Sequence, residues 1–577
     1  MRKIILSLTV SFICLFAFSQ KQSINWGEEF KMKKGSNNLT VVHTDKSGVY
    51  LQEEHMAMKS YFVIGASFRE SASLVKLDKN LNELYRSDFN KDLRGKEFVQ
   101  FFAFNDKLLI IASEYHKSER TTQVYGAEVD KSNGLIKETW KPITSFQKEE
   151  KKDEIVFKLI PNVDTSRIVV ISTVSGKEKS TYQVQEFDKN LKAVTKPATI
   201  SNEYEAKTYK LEDVLYTTDQ KIILVGRVFE FQEGKRKKEK FLDFSNYSIR
   251  IYNESGKQLN EVNTNINGRW LTSTKLLMGK GRELILASFY SKERKGKTTD
   301  GLMVQRIDPN TGNVLSTAEK SINHSLLATD NGESDEDKDD DKDNESREER
   351  KEREKLAKIK DEGEAFSRYM KFRNIFYTAD NGLVLLAEDF HFFTYTTSYQ
   401  TGGINGSIGT WNYYTNYVYD CKDIMMVKID ASNNISWLQV LPKSQRESIR
   451  LPQGGGIFTY NYFFEEGSAR PFYAGFGAIQ SPSGIQIYFN DRQTNADVLQ
   501  PGKKVSRLIN FSKSDCFVVT LDPLTGKFQR KSFFTNYDQP VAMPRLGAVI
   551  GNEMYLVGRT DRTLAKTKIM VGKISTK

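Results

Sequence analysis

Residues 516–528, CFVVTLDPLTGKF, hold a short apolar strand that runs into the turn Asp522-Pro-Leu-Thr-Gly526. An Asp side chain can bond backbone amides ahead of it, Pro presets φ, and Gly takes the left-handed position, so the stretch reads as a strand entering a hairpin. The same unit recurs as LMVQRIDPNTGNVL around Asp308 and IMMVKIDASNNISWL around Asp430. Further copies are YSIRIYNESGKQL around Asn253, YQVQEFDKNLKAV around Asp188, QVYGAEVDKSNGLI around Asp130 and SLVKLDKNLNEL around Asp78. Alternation in these strands predicts one face less deeply buried than the other.

A second component precedes it, an apolar run often closed by a small residue. Eight copies stand at Phe62–Gly65, Leu108–Ala112, Ile168–Ser172, Ile222–Gly226, Leu284–Ala287, Leu383–Ala387, Ile485–Phe489 and Met554–Gly558. Such runs suit strands buried on both faces, as sheets stacked between neighbours require. The turn residues lie 52 residues apart from Asp78 to Asp130 and 58 from there to Asp188, then 120 over two repeats to Asp308, 122 to Asp430 and 92 to Asp522. A four-stranded blade with generous loops fits the shorter spacings, and insertions fill the last two. The fold class is all-β, a β-propeller of about eight four-stranded blades; seven is the alternative count and a pair of β-sandwiches the alternative architecture. Lys568–Ile574 repeats the strand Ile424–Ile429 with only Ser575, Thr576 and Lys577 after it, so the last repeat lacks its outermost strand. Ile24 to Lys34, carrying Trp26 and Phe30, is placed to supply it and so close the ring.

The first twenty residues, Met1-Arg-Lys3 then an apolar run from Ile4 to Phe18, have the order of a secretory signal peptide. Export to the periplasm or outside the cell is therefore expected, with 21–577 a single propeller domain; no later stretch is long and apolar enough for a transmembrane anchor. The net charge of +11 comes from 85 basic and 74 acidic residues that are mostly interspersed, which speaks for solubility and against nucleic-acid binding. The densest basic run, KRKKEK at 235–240, sits between apolar stretches as a solvated hairpin loop does. Past the leader only Cys421 and Cys516 remain, each just before a strand of the same type in neighbouring repeats. They are candidates for a disulfide, which requires their Cα atoms to lie within about 7 Å.

Asp-Pro-x-Thr-Gly turns followed by Lys or Asn, as at Asp522 to Lys527, resemble the outer hairpins of quinoprotein-like propellers and of periplasmic propellers that assist outer-membrane protein assembly. The resemblance implies the scaffold. Those families usually place Trp a few residues past the Gly to dock blade on blade, whereas this chain has Arg530 in one copy and Ser316 in another, and only Trp437 lies near such a place. No cofactor is expected.

For chemistry, none of the five His stands in HExxH or with a second His at ligand spacing, and neither GxSxG nor a Walker loop occurs. No metal and no catalytic residue is assigned. Residues 324–366 read as an acidic disordered stretch leading into a charged helix, inserted between the fifth and sixth repeats. More informative is the insertion 391–419, HFFTYTTSYQTGGINGSIGTWNYYTNYVY. Phe392, Phe393, Tyr395, Tyr399, Trp411, Tyr413, Tyr414, Tyr417 and Tyr419 stand there among Gly, Ser, Thr and Asn, a mixture that offers rigid amphipathic contact and adaptable hydrogen bonding. Alternation in Trp411 to Tyr419 equally fits an extended hairpin whose aromatics pack on the scaffold. Tyr460 and Phe476, in the Gly- and aromatic-rich stretch 454–476, are expected beside it. The expectation is a non-catalytic binding or scaffold protein that engages a protein or glycan of the cell envelope. Its alternative is a carbohydrate-active enzyme with carboxylates at the central channel.

Overall fold

A computed structural model describes residues 23–33, 36–61, 65–148, 150–151, 153–162, 166–175, 179–205, 208–233, 240–262, 268–279, 282–293, 298–322, 366–367, 370–400, 411–452, 471–501, 503, 505–537, 540–560 and 568–575. Eight sheets follow one another, each with a four-stranded antiparallel path. The first blade is Ser36–Asp45, Gly48–Tyr61, Gly65–Leu77 and Glu83–Asp88. The second is Glu97–Phe104, Lys107–His116, Thr121–Val129 and Lys141–Gln147, and the third Glu154–Pro161, Arg167–Ser175, Lys179–Asp188 and Ala198–Glu205. The fourth is Tyr209–Tyr216, Ile222–Glu233, Lys240–Tyr252 and Gln258–Val262, and the fifth Trp270–Met278, Leu284–Ser291, Gly301–Ile307 and Val314–Ser321. The sixth is Met370–Tyr377, Leu383–Gln400, Trp411–Ile429 and Ile435–Leu441, and the seventh Phe476–Ser481, Gly484–Asp491, Asp515–Leu521 and Phe528–Thr535. Val541–Ile550, Glu553–Thr560 and Lys568–Ser575 begin the eighth. Ile24–Trp26 completes it, pairing antiparallel with Ile574 to Gly572.

The core lies between blades. Each of eight apolar clusters joins two consecutive sheets, from Leu74 with Phe98 and Ile110 in the first pair to Leu51 and Val75 with Tyr555 and Val571, which seals the eighth blade on the first. The ring is therefore an eight-bladed propeller closed by its N-terminal strand, and the first strands of neighbouring sheets meet at its centre. Second strands carry a buried central run, unbroken in Leu284–Ser291 and Gly484–Asp491.

Two expectations are corrected. In the first blade the second strand is Gly48–Tyr61, with Val49 opposite Leu77, and Gly65 instead begins the third strand. The apolar run Val49-Tyr50-Leu51 is only three residues long before Gln52, too short to stand out from its polar surroundings. The third strands are also not half-exposed: Lys76, Arg250 and Lys428 on them are 5, 3 and 2% exposed. Their polar ends are met by adjacent turns and rings. Lys76 Nζ donates to Lys131 O of the next blade at 2.8 Å, Lys428 Nζ to Asp380 Oδ1 at 2.7 Å, and Arg250 lies 5.2 Å from the Tyr209 ring centroid.

The Asp-led turns form as the residue types require. Asp130, Asp308 and Asp522 each accept from the amide two residues on at 2.8 to 2.9 Å, and Gly134, Gly312 and Gly526 take φ of 74, 71 and 74°. Each turn rests on the outer strand of the preceding blade. A Cβ at Gly526 would stand 2.7 Å from the Trp437 ring, whose Nε1 donates to Leu524 O at 3.2 Å. Trp437 thus docks one blade on the next.

Cys421 and Cys516 are both buried free thiols, so the disulfide is not formed. Cys421 packs with Phe390 and Leu508, while Cys516 faces the eighth blade beside Ala542 and Leu556. Burial pushes Cys421 up to about 12 and Cys516 well above the usual thiol range. Neither is expected to react with a thiol reagent in the native protein, and both after unfolding without reductant; counting labelled sites by mass spectrometry checks this.

His55, 3% exposed, lies 3.1 Å from Lys33 Nζ and is pushed down to about 4 by burial and by that ammonium. The folded state holds it neutral, so its contribution is fully present above the unfolded value near 6.5 and is lost as pH falls through about 4. Replacing His55 by Gln is expected to flatten the stability profile between these two values, measured by thermal unfolding at stepped pH.

Candidate functional site

Antiparallel four-stranded blades place the turns between first and second, and third and fourth, strands at one end of the ring. Turns between second and third strands, and crossings to the next blade, lie at the other. Every long excursion belongs to that second end. There stand the extended hairpins Gly48–Leu77, Ile222–Tyr252 and Leu383–Ile429 and the connection 492–514 in the seventh blade.

The hairpin of the sixth blade is the largest. Phe392 pairs with Tyr419, Thr394 with Tyr417, Tyr395 with Asn416, Thr397 with Tyr414 and Gln400 with Trp411. Gln445–Pro452 adds a third strand, setting Glu447 opposite Tyr419 and Ile449 opposite Tyr417. Since partners across a ladder share a face, the ribbon sorts its aromatics into two sets. Phe392, Tyr417 and Tyr419 face the scaffold: the Phe392 ring stacks 4.9 Å from Tyr419 and 6.2 Å from Tyr417, and Tyr419 is buried with Leu508 and Phe511. Phe393, Tyr395 and Tyr414 are half-buried on the other face, which also carries the buried His391, Asn416, Val418 and Asp420. Tyr414 lies 4.2 Å under the Arg450 guanidinium, Phe393 is 5.4 Å from His391, and Tyr413 near the tip is 49% exposed. Tyr399 is the last position but one of its strand, which ends at Gln400, and Trp411 opens the return strand after residues 401–410. Rings pack at the base of both faces, and toward the tip the exposed positions Thr394, Thr396, Ser398 and Tyr413 lie on the face of Tyr417 and Tyr419. Phe476 is corrected: at 5% exposure it belongs to the core between the sixth and seventh blades. Tyr460 and residues 324–365 lie outside the described residues, as does the leader.

The ribbon stands on a network that sequence reading missed. Lys443-Ser-Gln-Arg-Glu447 looks like a solvated loop, yet all five residues are buried. Lys443 Nζ donates to Glu388 Oε1 at 2.9 Å, to Gln445 Oε1 at 3.0 Å and to Cys421 O at 3.0 Å. Arg446 grips both oxygens of Asp420 at 2.8 and 2.9 Å. Glu447 accepts from the amides of Phe472, Tyr473 and Ala474, each at 2.8 Å, and Gln445 Oε1 from that of Gly475 at 2.7 Å. The run thus ties the ribbon to the entry of the seventh blade, where Leu508 also bonds Ser444 and Arg446. Nothing in composition distinguishes such a run from a surface loop.

Electrostatics fix the state of these groups. Burial alone would raise Glu388, but Lys443, Arg373 and Arg545 outweigh it and lower it; Arg446 likewise overcomes burial to hold Asp420 well below the usual carboxylate range. Both therefore stay ionised and neither is a proton donor at neutral pH. Burial raises Glu447, but its oxygens are taken by three amides. Among the described residues no group of three His, Cys, Asp or Glu is arranged to hold a metal ion. No described helix is long and apolar enough to cross a membrane.

No protein-family model matches the chain, and no curated protein matches it. Solved structures similar to it include a protein of unknown function from Dyadobacter fermentans, with a TM-score of 0.29 and 9% identity over 74% of this chain and 97% of that one. Prolyl oligopeptidase B from Galerina marginata scores 0.28 at 11% identity, over 66% of this chain and 39% of that one. A GH43 endo-arabinanase from Bacillus licheniformis scores 0.22 at 12% identity, over 48% of this chain and 97% of that one.

Proposed function

We propose that the protein is an exported, non-catalytic binding protein that engages a protein or glycan of the cell envelope through the ribbon of the sixth blade. The observation that carries this reading is the ribbon's aromatics. Phe393, Tyr395 and Tyr414 are half-buried on one face, and Tyr413 near the tip stands exposed on the other beside Thr394, Thr396 and Ser398, on strands held by buried ion pairs. Rigid aromatic side chains on a fixed frame give contact area at low entropic cost. Carboxylates locked in ion pairs, such as Glu388 and Asp420, serve the frame and leave acid–base chemistry without a donor there.

Chemical crosslinking in the native cells, followed by identification of what co-purifies, tests the reading. A second strain carries Phe393, Tyr395, Tyr413 and Tyr414 replaced by Ser. A specific partner lost in that strain supports the proposal; partners that persist unchanged contradict it and make glycan hydrolysis by the purified protein the next assay.

A further inference from the structure

We infer that the exposed face of the sixth blade's ribbon is a docking surface for a linear, uncharged glycan, an inference that rests on the binding reading above and gives it a ligand class. The register puts Thr394, Thr396 and Ser398 on one face of Leu383–Gln400, with Tyr417, Thr415 and Tyr413 opposite them on Trp411–Ile429. Thr394, Thr396, Ser398 and Tyr413 are exposed there, and Thr415 and Tyr417 are half-buried. Alternate residues of a strand stand about 6.8 Å apart and neighbouring strands about 4.8 Å apart, so these hydroxyls form a grid on the scale of one sugar unit. From Phe392 to Ser398 the strand runs about 20 Å, enough for a short run of sugars. Thr397 on the opposite face accepts from Asn416 Nδ2 at 3.0 Å, whereas Thr394, Thr396, Ser398 and Thr415 make no side-chain hydrogen bond among the described residues.

The chemistry of this face selects the occupant. Asp420, Arg446 and Arg450 all lie on the opposite face of the ribbon. Glu447, opposite Tyr419 on the face in question, is buried at the base and taken by three backbone amides. An anionic glycan, a lipid headgroup or an acidic peptide therefore finds no cation among the described side chains there. A protein partner needs an apolar core at its interface, and toward the tip the described side chains offer hydroxyls around the Tyr413 ring instead of aliphatic surface. Hydroxyls both donate and accept, so they exchange water for sugar hydroxyls at little net cost, while the face of the Tyr413 ring covers the C–H face of a pyranose. The ion pairs of Arg446 with Asp420 and of Lys443 with Glu388 hold the ribbon's base, which fixes the grid before a ligand arrives and lowers the entropic cost of binding.

Calorimetric titration of the full chain with linear hexasaccharides tests this, using neutral chains of glucose, xylose, mannose and N-acetylglucosamine and an acidic chain of galacturonate as the charged control. At least one neutral chain is expected to bind with an affinity that added salt leaves unchanged, and the galacturonate chain to bind more weakly. The triple variant Thr394→Val, Thr396→Val, Ser398→Ala removes the hydroxyls and keeps the strand, and is expected to lose about tenfold in affinity. Tyr413→Ala is expected to lose about tenfold as well, and Tyr413→Phe, which keeps the ring, much less. These positions are exposed, so thermal unfolding of each variant is expected to match the parent, which separates lost binding from lost folding. Binding of none of the neutral chains, salt-sensitive binding of galacturonate alone, or full affinity in the triple and Tyr413→Ala variants overturns the assignment. A crosslinked protein that is lost with the aromatic replacements, while no neutral chain binds, overturns the glycan and leaves the binding reading standing.

Discussion

Replacing Arg530 by methionine is expected to cost about 3–5 kcal/mol of stability, the range for breaking a fully buried ion pair. Arg530 stands on the outer strand of the seventh blade, where the resembling families carry Trp. Its Nη2 donates to Asp491 Oδ2 at 2.6 Å with both side chains 0% exposed, and its guanidinium lies 4.3 and 5.0 Å from the ring centroids of Phe517 and Phe489. Methionine refills the space against the rings but leaves the Asp491 carboxylate with Asn495 Nδ2 and the Arg492 amide alone. The penalty comes from that uncompensated charge. A denaturant series on Arg530→Met, Asp491→Asn and the double variant checks it: the double variant is expected to be less destabilised than the sum of the singles. Additive losses of under 1 kcal/mol each would show that the pair is not buried as described.

Removing residues 23–33 is expected to have the other large effect, opening the ring. Ile24–Trp26 supplies the fourth strand of the eighth blade, and Phe30–Lys31 pairs with the far end of the same partner. Side chains at Gly572 would overlap Ile24 and Trp26, and one at Gly558 would overlap Trp26, so the glycines mark where the returning strand presses on the sheet. Trp26 also meets Phe534 of the seventh blade edge-on at 5.7 Å. Without it, Lys568–Ser575 becomes an unpaired edge, a template for another chain. Concentration-dependent association in sedimentation velocity, together with a broadened unfolding transition, is the expected result; a monomer with unchanged unfolding would contradict closure by this strand.

What was legible in the sequence was whatever a local pattern repeats. The buried second strands and the Asp-led turns recur because every blade needs the same burial and the same left-handed position, and seven copies of each compensate for weak individual signals. The first blade escaped this reading because Val49 to Leu51 is short, while Phe62 to Gly65 imitates the pattern. The burial of Lys76, Arg250 and Lys428 leaves no local mark because their partners, such as Lys131 O for Lys76, belong to other turns and rings. The candidate site was half legible. A high aromatic content marked the ribbon, but only the register of three strands shows which rings it keeps, and Phe476 belongs with the core. Lys443 to Glu447 carry no local signature, since their partners lie on other strands and at the entry of the next blade.

The measurement that bears most directly on the account is hydrogen–deuterium exchange of the full chain, free and bound to the partner captured by crosslinking. Protection is predicted in 391–398 and 411–419 of the ribbon, with the Asp-led turns at 308–312 and 522–526 at the opposite end unchanged. Protection confined to those turns, with the ribbon exchanging as in the free protein, would contradict it.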